Sequence, residues 1–321
     1  MSTLEINFKE DRHVWDAFVD TSPQRSIFAY SKFLDSLLAN YDLVTCYDKD
    51  RIVAGTIIIY SESGNPRGTP FPFTQYQGLL LADNASLEMH SQITLEFKVV
   101  EFFIARLADH FKMYCLCQSW RLRDLRPFQW HNYHEHEKGQ FKVDLRYTGV
   151  LDLARYHDFE NYVSTVRKVK RQEFNKSSTL LEPLISNDAE ILDDLHAKTF
   201  ERQNIERTHQ ESTLVKSIFS HAIKGGYGKM CCAMLNDVPV SAVLFLYDDR
   251  SAYYLFGAND PQHRKTFSGT FSLMHMIKNA FDRDVQEIDF VGVNSPNRGD
   301  FKISLNAELR PYFITSIDSE R

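Results

Sequence analysis

No C-x-x-C pair occurs among the five cysteines of this 321-residue chain, at positions 46, 115, 117, 231 and 232. They sit in apolar, strand-like runs, which fits buried thiols in a reducing compartment and speaks against a disulfide framework. A basic surplus is missing too. Thirty-seven Lys and Arg against 43 Asp and Glu leave a net charge of −6, so a broad basic surface for nucleic acid is not expected. Long apolar runs are absent: the most apolar helix-like stretch, "LEFKVVEFFIARLADHF", is broken by Glu96, Lys98, Glu101 and Arg106. The N-terminal "MSTLEINFKEDRHVW" has no apolar signal core. A cytoplasmic protein without membrane contact is the expectation.

Several motifs are also missing. No G-x-G-x-x-G follows a strand, and "GGYGKM" lacks the spacing of a P-loop, which removes the common dinucleotide and nucleoside-triphosphate folds. The G-x-S-x-G elbow of serine hydrolases is absent. "HNYHEHEKG" gathers His131, His134 and His136, yet alternating His and Glu before a Gly turn also suits a wet loop. No metal is expected.

What is present is ordinary globular material, 43% hydrophobic and 13% aromatic, at a length that suggests two domains. In the second half, "GKMCCAMLNDVPVSAVLFLYDDRSAYYLFGAND" shows three β-rich runs parted by turn signals. A helix follows with Phe271, Met274, Ile277 and Phe281 at spacings of three and four. "EIDFVGVN" reads as a buried strand, "NSPNRGD" as a turn, and "PYFIT" as a last strand. The first half has the same order. A hairpin turns at Asp48-Lys49-Asp50, "FTQYQGLLL" is a strand, "SLEMHSQITLEFKVVEFFIARLADHF" a helix and "MYCLCQSW" a strand. Two copies of one α/β domain are therefore expected, residues 1–148 and 149–321. Between the two repeated runs of strands and helix, "FENYVSTVRKVKRQEFNK" reads as one helix. Its Arg167, Lys168, Lys170 and Arg171 form a solvated face or a phosphate-facing patch.

One stretch points to chemistry. In "YLFGANDPQHRKTFSGTFSLMHMI" a strand runs into a basic loop, then into Ser268-Gly269-Thr270 at a helix start. Helix-start N–H groups beside cations are suited to an anion. Asp289 lies inside a buried strand, where it is either a base with a raised pKa or a structural acceptor. Tyr254 is a proton donor or a core aromatic. Asn294 hydrogen-bonds a ligand or shapes the turn at Pro296. Asp260 and His263, in the basic loop, are within reach of an amine, although Asp260 suits a turn better.

The order strand, anion-cradling loop, helix, buried strand resembles the core of the GNAT acyltransferases. There a pattern like [RQ]-x-x-G-x-[GA] holds the diphosphate of acyl-CoA; here the matching segment is Arg264-Lys265-Thr266-Phe267-Ser268-Gly269-Thr270, with a single displaced glycine. "DLRPFQWHNY", "TFERQ" and "EIDFVGVNSPNRGDFKISLNAELRPYF" extend the resemblance to tandem-GNAT proteins related to the FemABX peptidyltransferases. Within that branch the chain looks most like sugar-nucleotide N-acyltransferases of the FdhC type. The resemblance implies two GNAT-like domains in tandem, each a mixed, largely antiparallel sheet flanked by helices. It implies acyl-CoA as co-substrate and a nucleotide-linked amino sugar as acceptor. The alternatives are aminoacyl-tRNA-dependent transfer, which alone brings in nucleic acid, and a non-catalytic binding protein of the same fold.

On that basis Asp289 and Tyr254 are the catalytic candidates. Gly257, Arg264, Lys265, Ser268, Gly269, Thr270 and Asn294 are the candidates for holding acyl-CoA, with Gly257 permitting close approach of backbone to thioester. On the acceptor side, Gln75, Tyr76, Gln77, Trp120, Arg126, Trp130 and Arg202 offer the stacking and guanidinium forks that a sugar nucleotide demands. Arg123 and Gln203 lie beside them. An Asp124–Arg126 ion pair over a packed Trp130 is the competing reading.

Overall fold

The computed structural model describes residues 4–201 and 207–318. The chain divides into two compact units, one of residues 1–35, 39–146 and 311–321, the other of residues 36–38 and 147–310. No helix among the described residues is long and apolar enough to cross a membrane.

The first unit contains β1 (Leu4–Asn7), α1 (Arg12–Thr21), α2 (Ser31–Leu34), β2 (Tyr41–Asp48), β3 (Arg51–Ile59), β4 (Leu80–Leu81), α3 (Met89–Phe111), β5 (Met113–Cys117) and α4 (Arg126–Trp130). Strand β6 (Lys142–Asp152) begins here and ends in the second unit. The β1–β4 sheet is antiparallel in that order. The hairpin between β2 and β3 turns through Lys49 at φ 56°. Helix α3 buries Val99, Val100, Phe103, Ile104 and Leu107 at three-to-four spacing, and they pack on Val44, Ile58 and Leu81 of the sheet. The "FTQYQGLLL" segment departs from the strand reading: only Leu80–Leu81 pair with β3. Phe73 and Tyr76 take φ of 57° and 55°, a left-handed backbone that no strand accommodates. This makes residues 66–79 a packed loop.

The second unit continues through α5 (Phe159–Thr165), α6 (Lys168–Ser177), β7 (Glu182–Ile185), α7 (Ala189–Glu201), α8 (His209–Lys224), β8 (Gly228–Leu235), β9 (Val238–Tyr247), β10 (Ser251–Asn259), α9 (Ser268–Asp282), β11 (Glu287–Asp289) and α10 (Pro296–Ile303); β12 (Glu308–Asp318) starts there and pairs antiparallel with β5 from Ile314 onward. Its sheet runs β6-β11-β10-β9-β8-β7, antiparallel except for the β10–β11 pair. Helix α9 lays Leu273, Met276, Ile277 and Ala280 on Val243, Phe245 and Ala252.

Two expectations change here. The basic helix is broken at Val166-Arg167, where Val166 is extended and Arg167 takes φ −45° and ψ 129°. Ser164 and Thr165 turn their hydroxyls onto the Asn161 and Tyr162 carbonyls at 2.7 Å, which competes with continued helix. The turn-rich "NSPNRGD" instead opens α10, because proline is pre-organised for the first helical position after Ser295.

Helices α7 and α8 are tied by a half-closed ion pair. The Arg207 guanidinium donates to Asp193, and the Ser212 hydroxyl donates to the same carboxylate at 2.8 Å. The two charged side chains are only 8% and 13% exposed. Burial alone would raise the Asp193 pKa; the Arg207 and Ser212 hydrogen bonds outweigh it and hold the carboxyl below its usual range. A depressed carboxylate stabilises the fold above its unfolded pKa and loses that contribution as pH falls through the folded value. Asp193→Ala is therefore expected to cost about 3 kcal/mol at neutral pH, since it strands a buried cation. In urea titrations the wild-type advantage should shrink below about pH 4; a variant as stable as wild type at pH 7 would refute this.

Candidate active site

The site grows from a strand pair that parts. Strands β10 and β11 are paired only through Tyr253 and Asp289. Beyond that point β10 follows β9 as far as Asn259, with a bulge at Leu255. The β11 side turns to β6 instead, Phe290 N–H donating to the Gly149 carbonyl and Val293 N–H to that of Tyr147. A gap with two backbone edges is left between them. Asp260 N–H bonds back to β9 at Val240, while Asn259 N–H reaches Thr199 Oγ1 at 3.1 Å. Strand alternation then puts the Gly257 N–H on the gap side.

Tyr254 stands at the parting point. Its hydroxyl folds back over Gly257, in the place a Cβ there would take. Its ring lies among Phe245 and Phe290 at 5.7 and 6.2 Å, with the Lys302 ammonium 5.2 Å from the ring centre. Lys302, from α10, donates to the carbonyls of Phe290, Val291 and Gly292 at 2.5, 3.1 and 2.9 Å. Val291 and Gly292 take φ of 50° and 78°. A β-branched residue in that region is strained, and the ammonium holds the turn. The sequence reading passed over Lys302 because it took the residues just before it for a turn.

Asp289 is 1% exposed. It accepts from the Thr148 hydroxyl at 2.5 Å and from Val291 N–H at 2.8 Å. Through Oδ1 this carboxylate holds the 289–292 turn, which is the structural-acceptor side of its two readings. Asn294 likewise takes the turn-shaping side of its two readings. Its amide accepts from Tyr147 N–H and donates to the Tyr147 carbonyl at 2.8 and 3.1 Å, extending the β6 ladder by a side chain.

Past the gap, the chain enters a 3₁₀ turn over Pro261–Thr266, where Asp260 caps the start. Phe267 takes a left-handed conformation, φ 56°, and α9 begins at Ser268. Arg264 and Lys265 are exposed. The first N–H groups of α9, from Ser268 to Thr270, have no acceptor within the helix. A Cβ on Gly269 would stand 2.6 Å from Asn259 Oδ1, so glycine is what lets β10 and α9 close up. Helix α6 flanks this start, with Lys176 over the Phe267 ring at 5.4 Å. Glu173, salt-bridged to Lys170 at 2.8 Å, accepts from the Thr270 hydroxyl at 2.7 Å. This helix start thus has exposed cations beside it and a carboxylate at one corner.

In the first unit, Tyr76 is 3% exposed and sits edge-on to Phe28 and Tyr312; it is a core residue, and its reading as a stacking platform is corrected. Gln75 accepts from Cys117 Sγ at 3.7 Å. Gln77 is buried. Arg126 makes a two-pronged pair with Asp124 at 2.9 and 2.6 Å. Trp130, 55% exposed, stacks on Tyr133 at 4.5 Å, and Arg121 covers the Trp120 ring at 4.0 Å. Arg202 and Gln203 lie outside the described residues. Among the described residues no group of three His, Cys, Asp or Glu is placed to hold a metal ion.

This geometry meets the comparisons with known proteins. Residues 165–302 match the family model of the acetyltransferase (GNAT) domain. That stretch is similar to GNAT acetyltransferase domains, and the chain has the GNAT fold, which supports an acyltransferase. Similar solved structures include FemX, at TM-score 0.68 and 11% identity over 96% of each chain. A tandem GNAT protein from the clavulanic acid biosynthesis pathway aligns at 0.54 and 11% identity over 98% of each. L-PGS from Bacillus licheniformis aligns at TM-score 0.55 and 10% identity, over 97% of this chain and 93% of the other. At these identities the likeness is one of fold, and it matches the architecture expected, two GNAT-like domains in tandem. No curated protein matches the sequence.

Proposed function

We propose that the protein transfers an acyl group, such as acetyl or 3-hydroxybutyryl, from acyl-CoA to the amine of a nucleotide-linked amino sugar, such as a dTDP-3-amino-3,6-dideoxyhexose for surface polysaccharide. The observation that carries the donor half is the parted β10–β11 pair leading into the α9 cradle with Gly269. The acceptor half rests on the sequence resemblance. An amine with a pKa near 8 is about a tenth neutral at pH 7, so it needs no strong base. Its lone pair attacks the thioester carbonyl carbon and the oxygen becomes negative, facing the Gly257 N–H. The C–S bond then breaks. Tyr254 delivers its hydroxyl proton to the departing thiolate and recovers one from the amine nitrogen through solvent. Asp289 and Lys302 act at one remove, by holding the 289–292 turn.

A second reading has its own observation. Glu173 at Thr270, and Phe267 where a glycine would ease the left-handed turn, suit a donor without a diphosphate, such as aminoacyl-tRNA. Thiol release separates the two. Release that needs both an acyl-CoA and one amino sugar supports the first; none with any pair, and transfer from charged tRNA with steep salt dependence, supports the second. Under the first reading, removing Arg264 and Lys265 together should weaken acetyl-CoA binding about tenfold, two exposed charges near a phosphate contributing roughly 1.4 kcal/mol. Unchanged affinity by calorimetry would take the diphosphate away from this loop.

A further inference from the structure

A second polar site lies in the first unit, under the loop that replaced the expected strand. The loop folds over the ends of β3 and β5 and closes a cavity of about 20 Å³, room for roughly one water-sized group. Ile57, Ile59 and Phe71 supply apolar walls. Two donors line the same space. Gln77 is only 6% exposed, and its Nε2 is buried without an acceptor among the described residues. Arg67 Nε is buried in the same condition; its guanidinium rides on the Phe71 ring at 5.2 Å and spends one Nη on Thr69 at 3.4 Å. The loop itself is pinned, Arg67 N–H donating to the Ile59 carbonyl at 2.9 Å and Thr74 Oγ1 to that of Phe71 at 2.7 Å. Buried donors left unmatched are costly, by about 1–3 kcal/mol each and more for a charged group. Both donors belong to residues that line one small cavity, which leaves room for an acceptor from outside the chain.

We infer that Arg67 and Gln77 form an oxyanion pocket, taking a phosphoryl or carboxylate oxygen that enters beneath the 66–79 loop. The side of a guanidinium that carries Nε–H is suited to two-pronged recognition of such groups, and the Gln77 amide adds a neutral donor. The fixed positive charge of Arg67 disfavours a cation here. Assigning the oxyanion to the acceptor molecule rests on the amine-acylation reading above; the pocket does not.

The test is direct binding to the full chain. Inorganic phosphate, pyrophosphate and butyrate are titrated by calorimetry, with acetyl-CoA titrated separately. One anion class is expected to bind, and Arg67→Gln and Gln77→Leu to weaken it at least tenfold while acetyl-CoA affinity stays within twofold. Phosphate or pyrophosphate binding names a phosphoryl ligand; butyrate binding names a carboxylate. A parallel readout is the Gln77 side-chain amide in ¹⁵N spectra, which should shift on saturation with the anion. If Arg67→Gln does not fold, Arg67→Lys keeps the charge, loses the Nε–H prong and should show the same loss. No binding of any probe, or equal binding by wild type and variants, would mean a resident water only and would overturn the pocket. Absence of acetyl-CoA binding alongside a working anion pocket would instead strike the donor reading.

Discussion

Gly257→Ala is expected to lower kcat roughly a hundredfold with the fold intact. A Cβ at 257 meets the Tyr254 hydroxyl, the far end of a side chain that can swing away, so the cost falls on position rather than on stability. The ring is held between Phe245 and Phe290 beside the Lys302 ammonium, so swinging moves the hydroxyl out of that setting. Displacing a reacting group by about 1 Å can cost about 10²-fold. Tyr254→Phe should lose a similar factor. The double variant should be no worse than either single one, because both remove the same placed hydroxyl. Losses that multiply would show that Gly257 acts through its own backbone rather than through Tyr254, and full activity in Gly257→Ala would remove Tyr254 from the chemistry.

Lys302→Met should damage both stability and turnover. It leaves the carbonyls of Phe290, Val291 and Gly292 without their shared donor. Hydrogen bonds to charged groups contribute about 1.5–3 kcal/mol each. Water can reach part of this half-buried site, so a total near 3 kcal/mol is expected rather than the full sum. Thermal unfolding reads the stability. Arginine should not rescue, because a planar fork cannot converge on three carbonyls as an ammonium does. Activity should fall further than stability at a temperature where the variant stays folded, since the released 290–292 turn is one wall of the gap. A variant with wild-type Tm and turnover would refute both claims.

Much of the architecture could be read without coordinates where one signal dominated. Helix α9 was visible in the spacing of Phe271, Met274 and Ile277, and the β2–β3 hairpin in two apolar runs around Asp48-Lys49-Asp50. Burial of a helix face or strand is dictated by the order of side chains alone. The failures came where the backbone leaves the regular regions. Nothing in "FTQYQGLLL" tells of left-handed Phe73 and Tyr76, and β-rich composition argued for a strand. "NSPNRGD" has the residues of a turn, and those same residues open a helix.

The candidate site divides in the same way. Local order in the sequence determined the strand, basic loop and helix start from Tyr254 to Thr270, because they are continuous and their spacing is short. Which side chains hold the backbone around the site was decided by the tertiary structure. Asp289 is tied to Thr148, 141 residues away, and Asn294 to Tyr147, 147 residues away. Lys302 becomes part of the site only because α10 brings its ammonium back onto 290–292. A buried polar group takes whatever partner the fold puts beside it, and partners so distant in sequence leave no local trace.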